Sequence, residues 1–217
     1  MHELAVLRDT MIEEQLKWRG IRDPAVLAAM REIPREEFVP PELATIAYAD
    51  RPLPIGEEQT ISQPYIVAYM TEALELTAGD RVLEIGTGSG YAAAVLSRIA
   101  GQVYTIERLA ELARTARNRL ERLGYRNIVV HLGDGTLGWP DHAPYEAIVV
   151  TAGAPDIPRP LLEQLAEGGR LVIPVGPHPS FQTLVRIRRL GTDEYRREEL
   201  LDVRFVPLIG SAGWEFP

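Results

Sequence analysis

Three glycines at two-residue spacing, Gly86, Gly88 and Gly90, follow the apolar run RVLEI and precede the alanine-rich stretch YAAAVLS. A glycine turn at the carboxyl end of the first strand of an open α/β sheet is where such folds hold nucleotide-like ligands. The dinucleotide fingerprint GxGxxG needs glycine at position 91, but Tyr91 stands there and the spacing is GxGxG. Charge separates the ligand classes more sharply. Glu84, two residues before Gly86, would repel a pyrophosphate and attract an ammonium group. S-adenosyl-L-methionine carries an ammonium and a sulfonium but no phosphate, so Glu84, Gly86, Thr87 and Gly88 read as a site for that donor. Glu107 ends the next strand-like run, VYTIE, 21 residues after Gly86, where a carboxylate accepts both hydroxyls of an adenosine ribose. Nicotinamide enzymes share that feature, so Glu107 does not choose between donors. Asp134 and Gly135 lie in GDG after a third run, where glycine admits a flat ring and the carboxylate can accept an adenine amino proton. An ordinary Asp-Gly turn would leave the same residues.

Other chemistries are excluded by what the chain lacks. It has no cysteine, so disulfides, thiolate nucleophiles and zinc–thiolate sites are out. His2, His131, His142 and His178 show no metal-ligand spacing, and no metal is expected. Ser89 fails the GxSxG elbow because position 87 is Thr. Lys17 is the single lysine and GxxxxGK does not occur, which rules out a lysine-dependent phosphate loop. A net charge of −8 gives no basic footprint for nucleic acid. No run of 18 apolar residues and no apolar signal core are present, so the expectation is a cytoplasmic chain with no membrane segment.

The elements that position these residues alternate along the chain. Leu4, Leu7, Met11, Ile12 and Leu16 predict a helix over 3–19, stopped at Gly20, and Asp23-Pro24 opens a second over AVLAAMREI. Residues 33–61 hold Pro34, Pro40, Pro41, Pro52 and Pro54 and read as a long pinned loop. Ser62 is the expected N-cap of a helix through SQPYIVAYMTEALEL. Strands then fall at 81–85, 103–107, 127–132, 146–150 and 170–175, with helices near 89–99, 109–123 and 159–166 between them. Such alternation means an α/β fold with a doubly wound, mostly parallel, seven-stranded Rossmann-like sheet. An N-terminal helical extension precedes it, and a C-terminal antiparallel hairpin closes its edge. The expected organisation is one domain over 1–217: helices and proline-rich loop to 61, a donor-binding core over 62–178, and a substrate-side tail from 179. At this level four readings stay open: a protein methyltransferase, one acting on a small molecule or nucleic acid, a nicotinamide-dependent oxidoreductase, and a non-catalytic adenosyl-binding module.

The runs LEIGTGSGYAAAVLS, VYTIE, GDGTLGWPDHAPYEAIVVTAGAPDIP and GGRLVIPVG resemble the successive motifs of class I adenosylmethionine methyltransferases. PIGEEQTISQPYIVAYMTEAL, with MIEEQL, PREEFVP, AYAD and RFVPL, resembles the protein-L-isoaspartate (D-aspartate) O-methyltransferase family over nearly the whole chain. The resemblance implies methyl transfer to the α-carboxylate of L-isoaspartyl residues, sometimes D-aspartyl ones, in damaged peptides and proteins. The ester then closes to a succinimide whose hydrolysis partly restores aspartate. It further implies that Ser62 contacts the substrate carboxylate, that Thr60, Ile61, Ser62 and Gln63 lie near the donor, and that Thr60 and Ile61 also meet the peptide. Val206, Pro207 and Leu208 would line the peptide groove. Many relatives have threonine after that leucine, whereas this chain has Ile209; Trp214 is either a hydrophobic pin or part of the groove. A monomer is expected.

Overall fold

The computed structural model describes residues 2–215. The first helix, α1 (His2–Thr10), runs on into a wider π-helical stretch, Met11–Lys17, whose Met11, Ile12 and Leu16 are buried. As the Asp23-Pro24 pair predicts, α2 (Pro24–Glu32) is capped by the Asp23 carboxylate, which accepts from Ala25 N at 2.7 Å. The segment expected as a plain loop is more ordered than that. It holds two 3₁₀ turns, Arg35–Phe38 and Pro41–Ile46, and a hairpin of β1 (Leu53–Gly56) and β2 (Gln59–Ile61). Its two-residue turn puts Glu57 and Glu58 at φ 51° and 58°. Positive φ at both positions suits the strand twist, but glutamates are not the residues that announce such a turn.

The next helix, α3 (Pro64–Ala73), starts later than expected, with Gln63 at the cap position and no side-chain cap bond. Ser62 is therefore not its N-cap, and its hydroxyl is left for other work. Beyond it come β3 (Arg81–Ile85), α4 (Tyr91–Ser97), β4 (Gln102–Glu107), α5 (Ala110–Arg122), β5 (Ile128–Leu132) and β6 (Tyr145–Val150). The short α6 (Arg159–Glu163) gives way to β7 (Leu165–His178), then β8 (Phe181–Gly191) and β9 (Glu194–Val203). The predicted 159–166 helix is cut short because Leu165, fully buried, already belongs to a strand.

The sheet order is β5-β4-β3-β6-β7-β8-β9, parallel from β5 to β7 and antiparallel over the last two pairings. This is the expected seven-stranded arrangement. Its central strands β3 and β6 are buried along almost their whole length, as strands covered on both faces must be. On the outside, α5 buries Leu112, Ala113, Ala116 and Leu120 and exposes its charges. Because β3 lies between β4 and β6, the chain leaves β3 at the switch point, and a crevice opens there.

Candidate active site

At that crevice the glycine turn is held from both sides. Gly86 N and Thr87 N donate to Ile106 O, at 2.9 and 3.3 Å, and Gly86, Gly88 and Gly90 all have positive φ. The Thr151 hydroxyl, at the end of β6, donates to Ile85 O at 3.1 Å and Gly86 O at 2.9 Å. A Cβ at Gly86 would stand 2.4 Å from that hydroxyl oxygen, so no larger residue fits. Tyr91, where a dinucleotide fold would have glycine, is buried edge-on against Phe38, with ring centroids 5.5 Å apart.

Three adjoining cavities surround the turn. The inner one is lined by Thr60, Ile61, Ser62, Thr87, Tyr91 and Thr151 among others. A second runs toward β4 past Gly86, Gly88, Glu107, Gly135, Leu208 and Ile209. An outer groove is bounded by Ser62, Gln63, Pro179, Arg204, Phe205 and Pro207. Thr60 and Thr151 line all three, and Val206 lines the second and the outer groove.

The predicted residues do not all take their expected posts. Glu107 lines the second cavity, its oxygens accepting from Gly88 N at 2.9 Å and Leu109 N at 3.0 Å. Each oxygen keeps a lone pair for a further donor, so the carboxylate can both brace the loop and accept a ribose diol. Glu84 lines none of the three cavities. It lies fully buried behind the loop, where Oε2 accepts from Thr105 Oγ1 at 2.6 Å and Oε1 has no partner. Burial pushes its pKa up to about 8; the Thr105 bond opposes the shift and the nearby Glu107 charge adds to it. Glu84 therefore lies behind the turn and not on a cavity wall, where the sequence reading has a carboxylate facing the ligand.

Asp134 is tied to the tail. It lines none of the cavities, and both its oxygens are engaged: Oδ1 by Thr136 N and Oγ1 at 2.9 and 2.6 Å, Oδ2 by Ser211 N at 2.7 Å. Burial alone would raise its pKa, but the bonds from Ser211 and Thr136 outweigh this and hold it below the usual value. Asp134 anchors the C-terminal tail, and Gly135 alone reaches the cavity. Gln63 faces the outer groove rather than the inner cavities, with Nε2 donating to Asp50 Oδ1 at 2.7 Å. The tail itself is stitched to Gly153, which donates to Val206 O at 2.8 Å and accepts from Leu208 N at 2.8 Å and Trp214 Nε1 at 2.9 Å. Trp214 is thus a pin and not part of the groove. Ile209 lines the second cavity with an apolar side chain where a hydroxyl would stand in many relatives.

The sequence model of the protein-L-isoaspartate(D-aspartate) O-methyltransferase family matches residues 7–213. The chain belongs to that family. It is 70% identical to protein-L-isoaspartate O-methyltransferase 2 of Pelobacter propionicus, over 95% of this chain and 92% of the relative. It is 69% identical to protein-L-isoaspartate O-methyltransferase 1 of Geotalea uraniireducens, over 97% and 96%. Among solved structures, a protein-L-isoaspartate O-methyltransferase superposes with TM-score 0.84 at 35% identity, covering 95% of this chain and 67% of that one. A Plasmodium falciparum structure described as a complex with S-adenosyl-L-homocysteine gives 0.79 at 26%, covering 93% and 98%. Membership makes the chain an S-adenosylmethionine-dependent enzyme. The site suits that cofactor: a carboxylate with lone pairs to spare lines the crevice, and a buried acid with an open oxygen lies behind it.

Among the described residues no group of His, Asp or Glu is gathered to hold a metal, and no helix is long and apolar enough to cross a membrane. The side chain of His2 lies outside those described. Thr151, which lines all three cavities, and the buried Arg35, which donates to Ser62 O at 2.7 Å, are site neighbours that the sequence did not single out. Thr151 follows the apolar strand EAIVV directly, and that position, the end of a strand beside the switch point, was the available signal.

Two predictions come from the carboxylates. The unfolded chain titrates Glu84 near its ordinary 4.5 and the folded one near 8, so between those values the folded state holds the extra proton. Stability contributed at this position therefore falls as pH rises through that window. E84Q, neutral throughout, should gain on the wild type from pH 5 to pH 8 in urea denaturation of the ligand-free protein; a constant difference would refute the burial of an ionisable acid. Glu107→Ala should weaken S-adenosyl-L-homocysteine binding roughly a hundredfold, since hydrogen bonds to a charged group are worth about 1.5–3 kcal/mol each. Unchanged affinity by calorimetry would remove Glu107 from the ribose site.

Proposed function

We infer that the chain transfers a methyl group from S-adenosyl-L-methionine to the α-carboxylate of L-isoaspartyl residues in damaged peptides and proteins. One observation carries the reading. Ser62 lines both the inner cavity beside the glycine turn and the outer groove, and its hydroxyl has no hydrogen-bond partner among the described residues. A free hydroxyl thus stands where the inner cavity beside the glycine turn meets the outer groove.

When bound, the cofactor supplies an electrophilic methyl group on a sulfonium. The residues suit its retention as follows: Gly86 and Gly88 shape the turn, Glu107 takes the ribose, Gly135, Leu208 and Ile209 enclose the far end, and Glu84 lies buried behind the turn. The acceptor is already an anion at neutral pH, because a carboxylate titrates near ~4. No general base is required, and none lines the inner cavity. What remains is orientation, and correct placement alone removes roughly 7–11 kcal/mol of a bimolecular barrier. Ser62 Oγ donates to one acceptor oxygen and leaves the other to attack. Thr60 and Ile61, delivered by β2, position the acceptor from the same side, and the N-terminal turn of α3 adds a favourable potential for an anion.

Val206 and Pro207, held by Gly153, form the opposite wall and line the groove beside Phe205. The same reading puts the enzyme in the cytoplasm, acting as a monomer. Nucleic acid is no substrate on this reading, since the net charge of −8 offers no general attraction for phosphate.

An isoaspartyl peptide should accept labelled methyl from S-adenosyl-L-methionine while its aspartyl counterpart does not; equal labelling of both, or of neither, would sink this reading. Ser62→Ala should lower turnover about 10- to 100-fold, the worth of one hydrogen bond to a charged group, with S-adenosyl-L-homocysteine affinity retained. A comparable loss of donor-product affinity would make Ser62 a cofactor residue instead.

A further inference from the structure

Arg35 is wholly buried, and nothing in the proposed reaction uses it. Its Nε donates to Ala47 O and its Nη2 to Ser62 O, both at 2.7 Å, while Nη1 has no partner. No carboxylate pairs with it among the described residues. Its other close neighbours are the Tyr91 ring, 4.8 Å from the guanidinium carbon, and more distantly the Tyr48 phenol. Desolvation lowers its pKa, yet an arginine keeps its proton in proteins, so a whole positive charge stays inside without a counter-ion. A buried charge without a partner is costly, and a packed apolar side chain would avoid that cost. The position of this charge suggests what it is for.

Two of the guanidinium's neighbours lead to the inner cavity. Ser62 and Tyr91 line that cavity, and Arg35 lies one residue behind them without lining it. By bridging Ala47 O and Ser62 O, the planar fork ties the 3₁₀ region to the segment carrying the free hydroxyl. Its bond to Ser62 O also polarises the peptide unit that leads into α3.

We propose that Arg35 is the positioning residue of the acceptor site, fixing the Ser62 segment through its carbonyl and supplying the positive potential by which the site selects an anionic acceptor. The proposal rests on the functional reading above and deepens it: the α-carboxylate is recognised through a charge behind the wall rather than by a direct ion pair.

The test uses two peptides, one with an isoaspartyl α-carboxylate and one with that group as its carboxamide. Their affinities are measured calorimetrically with S-adenosyl-L-homocysteine saturating the wild type, R35K and R35Q. A charge a few ångströms behind the wall, acting at an effective dielectric of about 20, changes binding of an anion by about tenfold or more. R35Q should lose about that much of the carboxylate-over-carboxamide preference while binding S-adenosyl-L-homocysteine normally. R35K, which keeps the charge but not the two-carbonyl fork, should keep the preference and lose turnover. A preference unchanged in R35Q overturns the electrostatic role, and wild-type turnover in R35K overturns the positioning role. If R35Q does not fold, R35K decides alone, because a lost preference with the charge retained would also overturn the proposal. Absence of isoaspartyl methylation by the wild type would overturn the functional reading itself, a result the variants cannot mimic.

Discussion

The close approach of β3 and β6 at their carboxyl ends governs the site. Thr151 N donates to Ile85 O at 2.9 Å and its hydroxyl closes on Gly86 O, so the chain turning out of β3 passes against the neighbouring strand with no room for a side chain at position 86. From this junction the inner cavity and the donor crevice open on either side of the glycine turn, and the outer groove lies beyond. Thr151 lines all three. Donor and acceptor halves are therefore registered to one another by a backbone contact in the centre of the sheet. A shift of the turn would move both together.

The acceptor half needs a second support, because no strand of the large sheet carries it. Thr60 and Ile61 come from the small β1–β2 hairpin, which lies over the turn: a Cβ at Gly88 would meet Ile55 Cδ1 at 3.3 Å. The hairpin is held by the N-terminal extension, whose Phe38 and Tyr48 share one buried cluster with Leu53 of β1 and Tyr91 of α4. This explains Tyr91. A dinucleotide fold uses glycine there so that helix and strand pack closely. Here the helix start is instead a docking point for the extension, and the aromatic ring fills the interface.

The sheet and the donor crevice were legible in the sequence because both are local signals: short β-rich runs alternating with helical spacing, glycines at a strand end, and an acid at the end of the next strand. Glu107 fell where that logic put it. Asp134 could not be placed by it, since GDG describes a turn whether its carboxylate faces a ligand or ties down a tail 77 residues away. The β1–β2 hairpin was hidden because Glu57 and Glu58 occupy left-handed conformations that usually belong to Asn and Gly. Thr151 and Arg35 depend on partners 65 and 27 residues distant, a proximity only the folded chain creates. The family resemblance did pick out PREEFVP, but not that its Arg35 lies buried behind Ser62.

The charges also explain why recognition of the acceptor is indirect. Methyl transfer from a sulfonium to a carboxylate annihilates one positive and one negative charge, so the transition state is less charged than the reactants. A guanidinium paired directly with the acceptor would stabilise the reactant anion more than the transition state and raise the barrier, since only interactions stronger in the transition state accelerate a reaction. A hydroxyl at contact and a cation one residue behind divide the task differently. Ser62 aims the nucleophile with a single hydrogen bond from a neutral donor, while Arg35 favours binding of an anion without occupying the oxygen that must attack. Glu84 has the mirror-image place behind the donor loop, a buried acid held out of contact. On the acceptor side the charged group is withdrawn and a neutral one is presented, as suits a reaction whose progress consumes charge.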